Sequence, residues 1–244
     1  MDKNYESIYH TEEDKNWWFV ARRDMLLKLF EKYKIRKDAR ILDIGCAGGS
    51  FLVQLQKLGY TNVYALDYSA EAIALCKQRG IENAYVMDGH HPEFPAETFD
   101  LIIASDSLEH LKEDETALPN WKTILKPGGM AFIFVPAFNF LWTQHDDINY
   151  HYRRYTKGDL ENKSKRAGFK ILSAGYWNAL FFIPTAIIRL LTKLMPKKAD
   201  KTGDILHLPS AVNNMLIGWM KIENSIGKVL PYPFGVSTYV IVSK

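Results

Sequence analysis

Arg40-Ile41-Leu42-Asp43-Ile44-Gly45-Cys46-Ala47-Gly48-Gly49-Ser50-Phe51 reads as a short buried strand with an acid near its end, a glycine turn and the start of a helix. Glycine lets the backbone approach a ligand because no Cβ intervenes. Gly45 takes the tight-turn position, and Ala47 stands where a second glycine would be usual. The next apolar run, Val63-Tyr64-Ala65-Leu66, ends at a second acid, Asp67, 24 positions after Asp43. An acid there can accept hydrogen bonds from both hydroxyls of a ribose. A pyrophosphate cradled by the glycine turn would find Asp43 an unfavourable neighbour. An ammonium or sulfonium would find it a good one. Helix capping is the plainer role for either acid alone. Taken together, the two acids and the turn describe an adenosyl ligand that is cationic and lacks phosphate, as S-adenosylmethionine is.

The bulk of the chain sets the frame for that reading. Its 244 residues suffice for one large domain, and 47% hydrophobic with 24% charged residues is globular rather than disordered. A net charge of +3 is too mild to argue for nucleic acid, so none is expected as a partner. Basic residues crowd two stretches: Arg153, Arg154, Lys157, Lys163, Lys165, Arg166 and Lys170, then Lys193, Lys197, Lys198 and Lys201. Solvated faces are the simple explanation, and attraction to a phosphate or an anionic membrane the sharper one. Two cysteines without metal-ligand spacing fit a reducing cytosol, and the polar Met1–Glu6 stretch is not a signal peptide. No apolar run approaches the roughly 18 residues of a membrane span.

Strand-like runs at 40–44, 62–66, 84–87, 99–104 and 130–135 alternate with segments of helical spacing, such as Phe51, Leu52, Leu55 and Leu58. That alternation predicts a largely parallel sheet covered on both faces. Leu125-Lys126-Pro127-Gly128-Gly129-Met130 reads as a turn before the fifth strand. A helix over 156–167 leads to a sixth strand beginning near Gly168-Phe169-Lys170, and residues 237–242 form a seventh. The expected organisation is a single domain over 1–244. It has a helical N-terminal lid (1–35), a cofactor-binding core (36–136), an acceptor-side lid with the sixth strand (137–175), a helical insertion (176–232) and the last strand (233–244). Pro196 to Gly203 reads as a mobile loop.

The ordered motifs resemble those of class I S-adenosylmethionine-dependent methyltransferases. Ile41-Leu42-Asp43-Ile44-Gly45-Cys46-Ala47-Gly48-Gly49 resembles their first motif, and Asp67-Tyr68-Ser69-Ala70-Glu71 their second. Asp88-Gly89 resembles the adenine-contacting pair, with Asp88 accepting from the exocyclic amine. Phe99–Ser105 with Leu108-Glu109-His110-Leu111 resembles the fourth strand and its exit, and Leu125–Gly129 the turn before the fifth. The resemblance spans 40–175 and the last strand, with Ala47 as its departure. It implies a Rossmann-like seven-stranded sheet, mostly parallel with an antiparallel last strand. It also implies cofactor contacts from Asp43, Gly45, Cys46, Ala47, Gly49, Asp67, Tyr68, Asp88, Gly89 and Ser105. Trp17-Trp18-Phe19 with Arg22-Arg23, and His145-Asp146 with His151-x-Arg153-Arg154-Tyr155, are most similar to the branch with quinone-biosynthesis and glycan- or lipid-associated methyltransferases.

Methyl transfer is an in-line displacement, served by orientation and exclusion of water. An oxygen acceptor also needs a base. Ligands of open α/β sheets sit beyond the carboxyl ends of the strands, which brings His110, Trp142, His145, Asp146 and His151 toward the acceptor. His145 is the first candidate base, oriented by Asp146 or Asp147; His151 is the second and His110 the third. Structural roles for all three stand beside this reading. A metal held by His145, Asp146 and His151 matches no specific spacing, and none is expected. Arg153 and Arg154 either grip an acidic group on the acceptor or pair with local acids such as Asp146, Asp147 and Asp159. Trp17 and Trp18 either face the acceptor and sulfonium or pack within the lid.

In the insertion, Phe181, Phe182, Ile183, Ile187, Ile188, Leu190, Leu191 and Leu194 precede lysines. Burial against the sheet is the simplest expectation. An interfacial membrane helix over 178–201, a tunnel for a greasy acceptor and a homodimer interface are the others. The leading function is O-methyl transfer to a small or amphipathic acceptor of the quinone, lipid-linked or sugar type, in the cytoplasm. The rivals are a non-catalytic or regulatory S-adenosylmethionine-binding protein and a nicotinamide-dependent dehydrogenase. Ala47 and Gly48-Gly49 break the Gly-x-Gly-x-x-Gly pattern that the dehydrogenase wants.

Overall fold

Alternation of apolar side chains across each central strand fills two cores, one on each face of the sheet. In β1 (Ile41–Ile44) and β4 (Phe99–Ser105), Ile41, Leu101 and Ile103 face one core, whereas Leu42, Ile102 and Ala104 face the other. The structure is a computed structural model that describes residues 9–193 and 208–244. The loop read at Pro196 to Gly203 lies outside the described residues, as do Met1–Glu6, Leu194, Lys197, Lys198 and Lys201.

The remaining strands are β2 (Val63–Asp67), β3 (Ala84–Val86), β5 (Leu125–Pro136), β6 (Lys170–Trp177) and β7 (Ser237–Ser243). They assemble in the order β3-β2-β1-β4-β5-β7-β6, with β7 antiparallel to both of its neighbours and the other pairings parallel. The order reverses between β1 and β4, which opens a crevice at their carboxyl ends. Helix α1 (Trp17–Lys32), α2 (Ser50–Lys57) and α3 (Ala70–Gln78) contribute buried side chains to one core. Helix α4 (Asp114–Ile124), with Trp121 fully buried, and α6 (Lys157–Arg166) contribute to the other. Ser69 caps α3 by accepting from the Ala72 N–H, and Thr156 with Asp159 forms a capping box on α6. The short α5 (Gln144–Ile148) lies between β5 and α6.

Two readings change. The segment read as a turn at Leu125–Met130 already belongs to β5, because Leu125 pairs with Phe99 ahead of an irregularity in the ladder. Between β6 and β7, α7 (Phe182–Lys193) buries none of its residues, and Ile183 and Ile188 are each 60% exposed. Burial against the sheet is ruled out because both faces are already covered. The following helix α8 (Ser210–Gly227) packs on α1 instead, its Asn224 Nδ2 donating to the Ala21 carbonyl and to Asp24. Helix α7 is tied to the turn after β5: Arg189 donates to the Leu141 carbonyl at 2.8 Å and Lys193 to that of Phe140 at 2.7 Å. Among the described residues no helix is long and apolar enough to cross a membrane.

Candidate functional site

The glycine turn joins β1 to α2 and needs its small residues. Gly45 (φ +76°) and Gly49 (φ +77°) lie in the left-handed region, and so does Ala47 at φ +48°. A Cβ on Gly45 would come within 2.5 Å of Ser107 Cβ, and one on Gly49 within 2.6 Å of Ile81 and 2.8 Å of Cys76 Sγ. Ala47 therefore carries the strain that the usual glycine would avoid. Gly49→Ala combines the unfavourable φ with overpacking. It is expected to cost roughly 2–4 kcal/mol, read as a lower denaturant midpoint at unchanged m-value.

Asp43 is buried at the strand end, and its carboxyl is pushed up to about 7 by burial first and then by the charges of Asp67 and Glu13. Asp67 anchors the turn from the next strand. One of its oxygens accepts from the Ala47 N–H at 3.0 Å and the other from the Ser69 N–H at 2.9 Å. Capping and ligand contact are compatible roles for Asp67, since a carboxylate offers about four acceptor sites. Cys46 lies buried beside the turn with its Sγ 3.8 Å from that of Cys76. Tyr68 stands 82% exposed at the sheet rim. Asp88, just past β3, accepts from the His90 N–H and ring, which together with neighbouring His charge outweigh its partial burial and hold its pKa below the ordinary value. The Gly89 carbonyl accepts from Trp121 Nε1 at 2.8 Å.

A cavity of about 70 Å³ sits at this turn, walled by Glu13, Trp18, Arg22, Arg23, Asp43 and Ser105 among others. The sequence reading missed three of these walls, Glu13, Arg22 and Arg23, as site residues. Glu13 reaches the turn from the N-terminal segment. Arg22 is clamped with its guanidinium 4.5 Å from the Phe134 ring centroid and 4.2 Å from that of Trp177, donates to Ser105 and Ser237, and pairs with Asp106 at 3.1 Å. Its Nε is buried and without a hydrogen-bond partner. Only the tandem Arg22-Arg23 beside Trp17-Trp18 hinted at this. Trp18 packs edge-on against Trp177, and Trp17 against Phe181. The donor set fits an amino acid zwitterion: buried acids that lack an opposing cation at Asp43, and guanidiniums nearby for a carboxylate. It does not suit a pyrophosphate.

The three histidines read as candidate bases come together beyond β4 and β5. The His151 ring lies 4.6 Å from that of His110 and 6.2 Å from that of His145. Asp146 orients His151, accepting from Nδ1 at 2.8 Å. It also accepts two bonds from Arg154, whose side chain donates further to the Ala137 carbonyl. Burial raises the Asp146 carboxyl, but the His151 bond and the Arg154 charge outweigh it and hold the group well below the usual range. Arg154 is thus engaged with Asp146, and Arg153 with Asp114 and the Lys112 carbonyl, because these acids lie in reach of the folded lid. His145 is in contact range of Asn149. Burial keeps His110 neutral, its pKa lowered to about 3. Glu109, also missed, is almost fully buried with Oε2 unpartnered, and burial followed by the Asp106 charge pushes its pKa well up. Asp106 and Arg22 connect it electrostatically to the cavity. Glu109, His110 and His151 each offer one donor atom, all within 4.8 Å of one another.

Comparison with known proteins agrees with this architecture. Residues 42–133 match a family profile described as "Methyltransferase domain". EEF1A lysine methyltransferase 2 of Homo sapiens is 29% identical over 150 residues, 54% of this chain and 61% of that protein. A ubiquinone biosynthesis O-methyltransferase of Paraburkholderia phymatum is 30% identical over 141 residues, 53% of this chain and 60% of that one. The chain thus spans about three-fifths of the length of these curated relatives. An S-adenosylmethionine-dependent methyltransferase from Archaeoglobus fulgidus has the same fold, with a TM-score of 0.61 at 18% identity over 97% of this chain and 99% of that one. Residues 42–133 thus match a methyltransferase domain, and the fold of the chain is that of an S-adenosylmethionine-dependent methyltransferase. Its Rossmann-like sheet with an antiparallel last strand is the fold it shares with the Archaeoglobus fulgidus structure.

Proposed function

We propose that this protein transfers a methyl group from S-adenosylmethionine to an oxygen of a small or amphipathic acceptor, of the quinone, lipid-linked or sugar type. The observation that carries the proposal is the buried Asp43 carboxyl, flanked by Asp67 and Glu13, at the end of β1 against a left-handed turn. Such an acid is costly unless a cationic ligand uses it. When bound, the cofactor supplies an electrophilic methyl group. Asp43 would hold its ammonium, and Arg22 and Arg23 its carboxylate. Asp67 would receive the ribose hydroxyls, and Asp88 the adenine amine. Trp18 and Phe19 exclude water from the cavity wall. His151 is the favoured base for an acceptor hydroxyl. Asp146 holds its Nδ1 side, which leaves Nε2 to take the proton.

An amphipathic acceptor is favoured by the exposed aliphatic face of α7, which is joined to the acceptor-side turn through Arg189 and Lys193. The proposal includes a cytoplasmic location with peripheral membrane contact through 178–201. Co-sedimentation with anionic vesicles at low salt is expected, and Ile187→Glu is expected to abolish it. No sedimentation of the parent protein would remove membrane contact from the proposal; a dimer in its place would assign the face to a second copy.

The test of the function is a screen with cofactor labelled at its methyl group against quinone, lipid and sugar extracts. It is run with and without a chelator, because Glu109, His110 and His151 are residue types that divalent cations accept. Label in an ether-type product supports the proposal. Tight cofactor binding with no label in any extract would favour the regulatory alternative.

A further inference from the structure

The segment before α1 lies across the glycine turn and brings an acid into the cofactor cavity. Glu13 is 4% exposed and lines that cavity together with Asp43. Its carboxylate pairs with Arg79 at the C-terminus of α3. Arg79 also donates to the Gly48 carbonyl and to Ser50 Oγ, each at 2.8 Å. Asp14 accepts from Ser50 Oγ at 2.6 Å and pairs with Arg79 at 3.3 Å. Arg23 donates to the carbonyls of Glu13 and Asp14, and Asn213 of α8 donates to that of Lys15 at 2.9 Å. Gly48 has no room for a Cβ because the Glu13 carboxylate occupies that space. The segment is therefore held down on the turn, and the partly open cavity of about 70 Å³ left beneath it is far below the roughly 300 Å³ at the lower end of ligand pockets. Lifting of the segment would make room for a nucleoside.

Closing the segment brings the Glu13 carboxylate within electrostatic reach of Asp43, which still feels its charge although Glu13 is paired with Arg79. Closure over a cation gains attraction, whereas closure over a neutral ligand leaves the like charges facing one another. The reaction proposed above changes that charge: the sulfur is a sulfonium before transfer and a neutral thioether after it. We propose that Glu13 is a charge-sensing latch, which closes the N-terminal segment over the sulfonium cofactor and releases its hold on the neutral thioether product. This rests on the cofactor assignment and goes beyond it, because it assigns Glu13 to discrimination between cofactor and product.

The test is calorimetric titration with S-adenosylmethionine, with sinefungin, whose ammonium replaces the sulfonium, and with S-adenosylhomocysteine. Trypsin cleavage at Lys15 serves as a readout of the segment. The parent protein is expected to bind both cationic ligands about tenfold more tightly than the thioether, the order of one partly screened charge pair. The cationic ligands should also protect Lys15 more strongly. Glu13→Gln is expected to bring the ratio to about twofold or less and to remove the difference in protection. Glu13→Asp keeps the charge and is expected to retain most of the preference, which separates charge from packing should the amide variant fold poorly. Equal weakening of all three ligands by Glu13→Gln, or no charge preference in the parent, overturns the latch while leaving the cofactor site standing. No binding of any of the three overturns the cofactor assignment and the latch with it.

Discussion

Asp43→Asn is expected to weaken binding of S-adenosylmethionine about 100-fold while stabilising the ligand-free fold. The binding loss is that of a buried charge-assisted hydrogen bond to an ammonium, about 1.5–3 kcal/mol. The gain in stability follows from the sign of the Asp43 shift. Its carboxyl titrates near 3.8 in the unfolded chain and is raised to about 7 in the fold, by burial and then by Asp67 and Glu13. Between those values the folded state holds the extra proton, so stability falls as pH rises from about 4 to about 7, and the full penalty remains above that. The asparagine variant lacks this penalty, and its advantage in thermal unfolding should be small near pH 4 and greatest above pH 7. Cofactor binding needs the ionised form. Affinity should therefore climb as pH approaches 7, with a proton released on binding below that pH, and calorimetry in buffers of different ionisation enthalpy reads that proton. A variant with unchanged affinity would show that Asp43 is a buried acid without a ligand.

Asp146→Asn is expected to give the second large effect, on both stability and turnover. Asp146 is fully buried and joins Arg154, Arg189 and His151. Removing one partner of a buried ion pair strands the others and costs roughly 3–5 kcal/mol. The depressed Asp146 pKa means that its contribution is complete above the unfolded value near 4 and fades as pH falls through the lower folded value. The variant should thus lose its deficit relative to the parent in strong acid. The same substitution removes the anion that orients His151, and a fall of about 100-fold in kcat with a smaller change in KM is expected for an oxygen acceptor. His151→Gln should reproduce the kcat loss with less destabilisation, since the Arg154–Asp146 pair survives. A His151→Gln enzyme of parental kcat and pH profile would remove the base role.

The local signals in the sequence translate directly into structure. The strand, acid and glycine turn at 41–49 depend on neighbours a few positions away, and the positive φ at Gly45, Ala47 and Gly49 is where glycine spacing placed the turn. The largely parallel sheet covered on both faces follows from strand–helix alternation, whereas the strand order comes from the fold. The partners in the candidate site were harder to see, because pairing across the fold leaves no periodic trace. Asp146 was legible as an orienting acid, and the His151 ring five positions on donates to it; a five-residue helix decides that geometry. Glu13 and Arg79 meet across 66 positions, and nothing at either site marks the other. Apolar content alone cannot tell a buried helix from an exposed one, so α7 was open until α1 and α8 were seen to occupy the sheet face. The tandem Arg153-Arg154 shows the same limit, since positive charge in a sequence does not say whether its partner is a substrate or Asp114 and Asp146.

The most direct test of the central claim is a calorimetric titration of the intact protein with S-adenosylmethionine and, separately, with NAD. A single site for the adenosyl sulfonium, weakened about 100-fold in Asp43→Asn and absent for NAD, is the predicted result. Binding of NAD, or adenosyl binding indifferent to the charge at position 43, would contradict it.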